Sequence, residues 1–127
     1  MHKSSLAALA GCLALAAAPT MAQGADRSWT GSALRYTPAT SEGCNVSVMD
    51  AATRNGRVHV WLRNGGSGTL NFTLAGELAG NGQRSIGTAT TRLPAGRNID
   101  VPLMLVYRGS LAGSTLTLRG SACSTVG

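Results

Sequence analysis

The feature that most constrains this chain is an Asn-Gly pair set between two runs that alternate apolar and polar residues. Residues 44–49 read Cys-Asn-Val-Ser-Val-Met, with Cys44, Val46 and Val48 on one side. After Arg54-Asn55-Gly56-Arg57 the alternation resumes, with Val58, Val60 and Leu62 pointing one way and Arg57, His59, Trp61 and Arg63 the other. Period-two alternation is the mark of a half-buried strand. Asn-Gly between two such runs is the strongest short hairpin signal, because both turn residues must take positive φ. A two-stranded ribbon with one apolar face needs a second layer to cover it.

The rest of the chain supplies that layer with the same punctuation. Ser28 to Tyr36 predicts a first strand carrying Trp29 and Leu34. Asn64-Gly65-Gly66-Ser67-Gly68 turns into a strand with Leu70, Phe72 and Leu74 on one face, expected to end at Gly76. Ala79-Gly80-Asn81-Gly82 leads into a Thr-rich strand from about Arg84 to Arg92, and Pro94-Ala95-Gly96 into the inward set Ile99, Val101, Leu103, Leu105 and Tyr107. Pro102, on the opposite face, lacks a backbone donor and marks either an interruption or a sheet edge. The last strand holds Leu116 and Leu118 and reaches Cys123, whose parity is opposite, so Gly120 is expected to mark a bulge. Residues 23–127 show no sustained helical periodicity. The expected fold class is all-β: an immunoglobulin-like, two-sheet antiparallel sandwich of about seven strands.

The opening residues have the layout of an export signal: a basic head at His2 and Lys3, an apolar run from Leu6 to Ala18, then small residues. Leu9-Ala10-Gly11-Cys12 reads as a lipobox, but Cys12 falls inside the apolar run rather than after it. Thr20-Met21-Ala22 places small residues at the cleavage positions, so residues 1–22 are read as a signal peptide and 23–127 as a single domain, with lipidation at Cys12 the alternative. The apolar run is too short to span a bilayer. A periplasmic or secreted protein without a stable membrane anchor is expected. Cleavage leaves two cysteines, Cys44 and Cys123, and an oxidising compartment favours their pairing as a disulfide. That bond would close a loop of about 80 residues and contribute roughly 4–5 kcal/mol.

Residues 23–127 carry ten arginines, no lysine and five acids, a net charge of +5. The arginines are dispersed, so a nucleic-acid-binding tail is not indicated and no nucleic-acid partner is expected.

The segment VHVWLRNGGSGTLNFTL (58–74), followed by LPAGRNIDVPL (93–103), resembles bacterial immunoglobulin-like domains of the CARDB, adhesion-related kind. The positions that carry the resemblance are Val58, Val60, Asn64, Gly66, Gly68, Leu93, Gly96 and Val101, about half of the exported chain in extent. They are turn and core residues, so the resemblance implies a fold and not a site. By size and architecture the chain is also similar to small periplasmic chaperone-like modules such as curli-assembly inhibitors.

Catalytic parts are scarce. Residues 23–127 hold one histidine, His59; a triad would need Asp50 across the hairpin and Ser47, and no nucleophile elbow surrounds any serine. Met49, His59 and Met104 are the soft metal ligands, and a blue-copper set of two His and one Cys is not available. No catalytic residue, metal or cofactor is therefore expected. Two stretches stand out for binding. The face Arg57, His59, Trp61, Arg63 places an indole between guanidinium groups. Trp61 is either covered by a neighbouring segment under arginine stems, or a contact patch for a protein or a sugar ring. The stretch Ser85–Thr91, flanked by Arg84 and Arg92 and centred on Thr88, is uncharged and holds no Pro; it is either an interior strand or an undefended edge open to strand addition. The expected function is a non-catalytic binding or assembly module, by strand addition or in a chaperone-like manner, with another exported or cell-surface protein as partner. A carbohydrate-binding module using the Trp61 face is the alternative, with a glycan as its ligand, and a small hydrolase stands third.

Overall fold

A computed structural model describes Trp29, residues 33–108 and residues 111–126; residues 1–22, expected to be a signal peptide, and Cys12 within them lie outside the described residues. Seven strands follow in order: β1 (Leu34–Thr37), β2 (Val46–Arg54), β3 (Arg57–Asn64), β4 (Leu70–Gly80), β5 (Gln83–Leu93), β6 (Asn98–Leu103) and β7 (Thr115–Thr125). They form a four-stranded sheet in the order β1-β7-β4-β5 and a three-stranded sheet in the order β2-β3-β6. The chain is the all-β sandwich that its alternation predicts.

Turn chemistry builds both tight hairpins. Asn55 and Gly56 have φ of 53° and 77°, and Asn81 and Gly82 have 52° and 74°. Positive φ at both central positions is the type I′ turn, whose twist matches that of paired strands. The other connections cross between sheets, so β3 pairs with β6 and β4 with β7, each antiparallel. One pair departs from the antiparallel expectation: β1 runs parallel to β7, from Leu34 beside Leu116 to Thr37 beside Arg119. Parallel neighbours need a long crossover, and nearly the whole domain lies between these two strands.

The predicted inward set supplies most of the core, to which Leu78 is an addition, while Ile99 and Tyr107 are only partly buried. Val58, Val60 and Leu62 of β3 are buried together with Leu70, Phe72, Leu74 and Leu78 of β4 and Leu116 and Leu118 of β7. Each such side chain contributes roughly 1.5–3 kcal/mol by leaving water, so this cluster is the main stabilising term. The bulge expected near Gly120 is present. Thr73 faces Ala122 while Leu74 faces Gly120, leaving Ser121 as the extra residue, and Cys123 is thereby turned inward beside Phe72.

Three expectations are corrected. The strand expected over Ser28–Tyr36 is Leu34–Thr37 among the described residues, with Ser28 and residues 30–32 lying outside them; Trp29 is not part of it and is buried, its indole nitrogen donating to Ser114 O and Oγ at 3.3 Å each. β4 does not end at Gly76 but continues to Gly80. Gly76 faces the core, and a Cβ there would lie 2.7 Å from Leu103 Cδ1, so glycine makes room for a neighbour instead of stopping the strand. Finally, Leu105 and Tyr107 turn inward as expected but lie beyond the end of β6, in an extended segment outside the ladder.

Asn64 ties the turn-rich residues of the 58–103 region together. Fully buried, its Nδ2 donates to Gly68 O at 2.8 Å and Leu93 O at 2.9 Å, and its Oδ1 accepts from Gly66 N at 2.9 Å. Its backbone carbonyl accepts from Gly96 N at 2.8 Å. One buried amide thus specifies two turns.

Cys44, just before β2, is bonded to Cys123 of β7, with Cα atoms 6.4 Å apart. The disulfide crosses from one sheet to the other.

Candidate functional site: the edge of β5

Four strands pair on one side only: β1 and β5 in the larger sheet, β2 and β6 in the smaller. The backbone groups exposed along each follow from the turns. In a two-residue hairpin the residues flanking the turn form a hydrogen-bonded pair, and hydrogen-bonded and non-hydrogen-bonded pairs then alternate. Gly80 and Gln83 flank the second turn. Ser85, Gly87, Ala89 and Thr91 therefore bond to β4, whereas Arg84, Ile86, Thr88, Thr90 and Arg92 direct their N–H and C=O away from it. The same count from the Asn55-Gly56 turn leaves Ala51 O at the free edge of β2, and Trp29 N donates to it at 3.0 Å.

Three of the four edges are blunted. β1 has only four residues and is followed by Pro38. β2 is bulged between Val48 and Asp50 and takes the Trp29 bond. On β6 the alternation puts the nitrogen of Pro102 at the open side, so the proline anticipated as an edge marker removes a donor there. β5 has no such defence. It runs eleven residues in unbroken register with β4, from Leu93 opposite Leu70 to Gln83 opposite Gly80. Arg84, Thr88 and Arg92 are all exposed on its outer face.

Residues 104–108 run beside the inner face of β5 without joining its ladder. Val106 N donates to Ser85 Oγ at 3.0 Å, Arg108 N donates to Gln83 Oε1 at 3.0 Å, and Gln83 Nε2 donates to Arg108 O. These tethers use β5 side chains, not its backbone. At Gly87 the Met104 carbonyl occupies the place a Cβ would take. No backbone–backbone bond joins 104–108 to β5 among the described residues. On the outer face Arg84 is ion-paired with Glu77, while Arg92 has no acidic partner among the described residues. An open depression of about 300 Å³ beside this pair is lined in part by Thr117 and Arg119.

The second sequence-predicted patch is assembled on the outer face of the smaller sheet, with partners that the sequence did not indicate. His59 Nδ1 lies 2.8 Å from Asp100 Oδ1, Trp61 sits between Asp50 on β2 and Asp100 on β6, and Arg63 donates to Asn98 Oδ1 at 3.1 Å. His59 stacks against Trp61 with ring centroids 6.0 Å apart, and the Arg54 guanidinium lies 5.9 Å from the indole. Trp61 is half-buried, and Arg57 and Arg63 are exposed. The indole thus takes its stacking and cationic neighbours from the chain itself. Asp100 and Arg54 are the additions; the alternation of Ile99 and Val101 already puts Asp100 on an outer face, but its pairing with β3 spans some forty residues and leaves no local signal.

Ser47, His59 and Asp50 do not converge. Ser47 is opposite Arg63, four residues along β3 from His59, and the histidine's carboxylate partner is Asp100. Met49 lies at the β2 bulge and Met104 past the end of β6, on opposite sides of β3. Among the described residues there is no cluster of three or more His, Cys, Asp or Glu side chains that could hold a metal ion, and no helix is long and apolar enough to cross a membrane.

Comparisons with protein-family models, with curated proteins and with solved structures find no match to this chain.

Proposed function

We propose that this protein is an exported, non-catalytic binding module that takes an extended segment of another exported or cell-surface protein as a fifth strand alongside β5. The observation that carries this reading is the contrast among edges: β5 presents five alternate positions, from Arg84 to Arg92, whose backbone groups are unpaired among the described residues, while the other edges are short, bulged or closed by proline. Strand addition draws its affinity from backbone bonds and its selectivity from alternate side chains. The eleven-residue ladder with β4 already holds β5 extended, which lowers the ordering cost on the domain's side. The chain's own neighbours around Trp61 make that face the weaker docking surface.

Substitution of Thr88 by Pro tests the proposal. Thr88 N–H points to the open side, so the β4 ladder keeps its bonds and the domain stays folded by circular dichroism and melting. Binding of the exported partner is lost. Unfolding by Thr88→Pro, or partner binding that survives it, refutes strand addition at β5.

A further inference from the structure

The surroundings of the open edge describe the strand that fits it. Five large apolar side chains are exposed on the described surface, and three of them border β5: Ile86 on the strand itself, at 65% exposure, and Met104 and Val106 on the neighbouring segment, at 68% and 74%. Leu105 between the last two is buried and Val106 N is bonded to Ser85, so the segment is held with Met104 and Val106 facing out beside the inner face of β5. A strand added to β5 would project alternate side chains towards these two residues. The other alternate set would lie on the outer face beside Arg84, Ile86, Thr88, Thr90 and Arg92. Arg84 and Arg92 stand eight residues apart on that face, roughly 27 Å.

From this juxtaposition we infer that the partner segment is an amphipathic strand, apolar on its inner face and acidic at two outer positions about eight residues apart. The inference rests on the strand-addition reading above. Charge complementarity selects this occupant over a second copy of the chain. An antiparallel β5–β5 pairing that used all five open positions would set Arg84 opposite Arg92 at both ends, and like charges directly opposite are destabilising. The two arginines therefore disfavour self-pairing; Arg92 is the cation open to an acid, and Arg84 adds a second by sharing its guanidinium with Glu77.

Three labelled nine-residue peptides and the disulfide-closed protein decide this by fluorescence anisotropy. The first is Glu-Val-Thr-Val-Thr-Val-Thr-Val-Glu; the second replaces both Glu by Lys; the third replaces every Val by Ser. The acidic amphipathic peptide should bind about tenfold tighter than the Lys peptide, the scale of a few cross-strand charge pairs. It should also bind about tenfold tighter than the Ser peptide. Arg92→Glu should narrow or reverse the charge preference, and Met104→Ser with Val106→Ser should erase the Val-over-Ser preference. All binding should vanish in Thr88→Pro. Equal binding of the Glu and Lys peptides that still vanishes in Thr88→Pro would overturn the partner chemistry and leave the edge reading standing. Binding that persists in Thr88→Pro would overturn both. Absence of binding by all three peptides, or a β5-dependent dimer in sedimentation, would overturn the inferred partner.

Discussion

The two long sides of the sandwich are closed in different ways. Along the β1/β2 side the sheets are joined by the Cys44–Cys123 bond, by the Tyr36 hydroxyl donating to Val46 O at 3.1 Å, and by Trp29 N on Ala51 O. Along the β5/β6 side the joining segment, 104–108, is tethered by the side chains of Gln83 and Ser85, and by the Tyr107 hydroxyl donating to Gly80 O at 2.5 Å. The first side spends backbone groups on closure; the second keeps the β5 backbone free. Side-chain tethers let a domain hold its core shut while leaving a sheet edge available.

If closure of the β1/β2 side depends on the covalent bond, removing it should produce the largest effect. Cys44→Ala with Cys123→Ala should cost about 4 kcal/mol in denaturant unfolding, without altering hydrogen exchange along the β5 edge. A cost below about 1 kcal/mol would mean that the hydrogen bonds and core close this side alone.

The backbone count on the other side is sharpened by two adjacent prolines. Ala89 N–H bonds to β4, so Ala89→Pro should cost about 3 kcal/mol or more, while Thr88→Pro should cost under about 1. Equal costs would show that the alternation along β5 is misassigned. Gly87→Ala should cost about 1–3 kcal/mol by pushing Met104 and its segment away from β5, read by melting and by chemical-shift changes over 104–108.

The smallest effect concerns Tyr36. Burial pushes its hydroxyl above the ordinary value near 10, so the folded state holds this proton more tightly than the unfolded chain. The associated stability is fully present below that ordinary value and falls as pH rises through the folded value. Tyr36→Phe should flatten this alkaline loss in pH-dependent unfolding.

Much of this fold was legible because its signals are local. Asn55-Gly56 and Asn81-Gly82 require positive φ wherever they occur, and the β3 alternation required a core behind Val58, Val60 and Leu62. Gly76 misled because its reason is non-local: it yields space to Leu103, which lies 27 positions later in the chain. Ser28–Tyr36 reads as one strand because Trp29 and Leu34 are both apolar, yet Trp29 is held by Ser114 and by a single backbone bond to Ala51 O, apart from β1. The site was half legible. The absence of Pro and internal charge between Arg84 and Arg92 is visible in the residues, but edge status depends on which strands pair. Asp100 joined His59 only once β6 was placed beside β3.

Amide hydrogen exchange along β5, resolved residue by residue, tests the central claim most directly. In the free protein the amides of Ile86, Thr88 and Thr90 should exchange about 100-fold or more faster than those of Gly87, Ala89 and Thr91. Adding the acidic amphipathic peptide should slow the fast set and leave the slow set unchanged. Uniform protection along β5 in the free protein, or fast amides that stay fast while the peptide is bound, would contradict an open edge that accepts a strand.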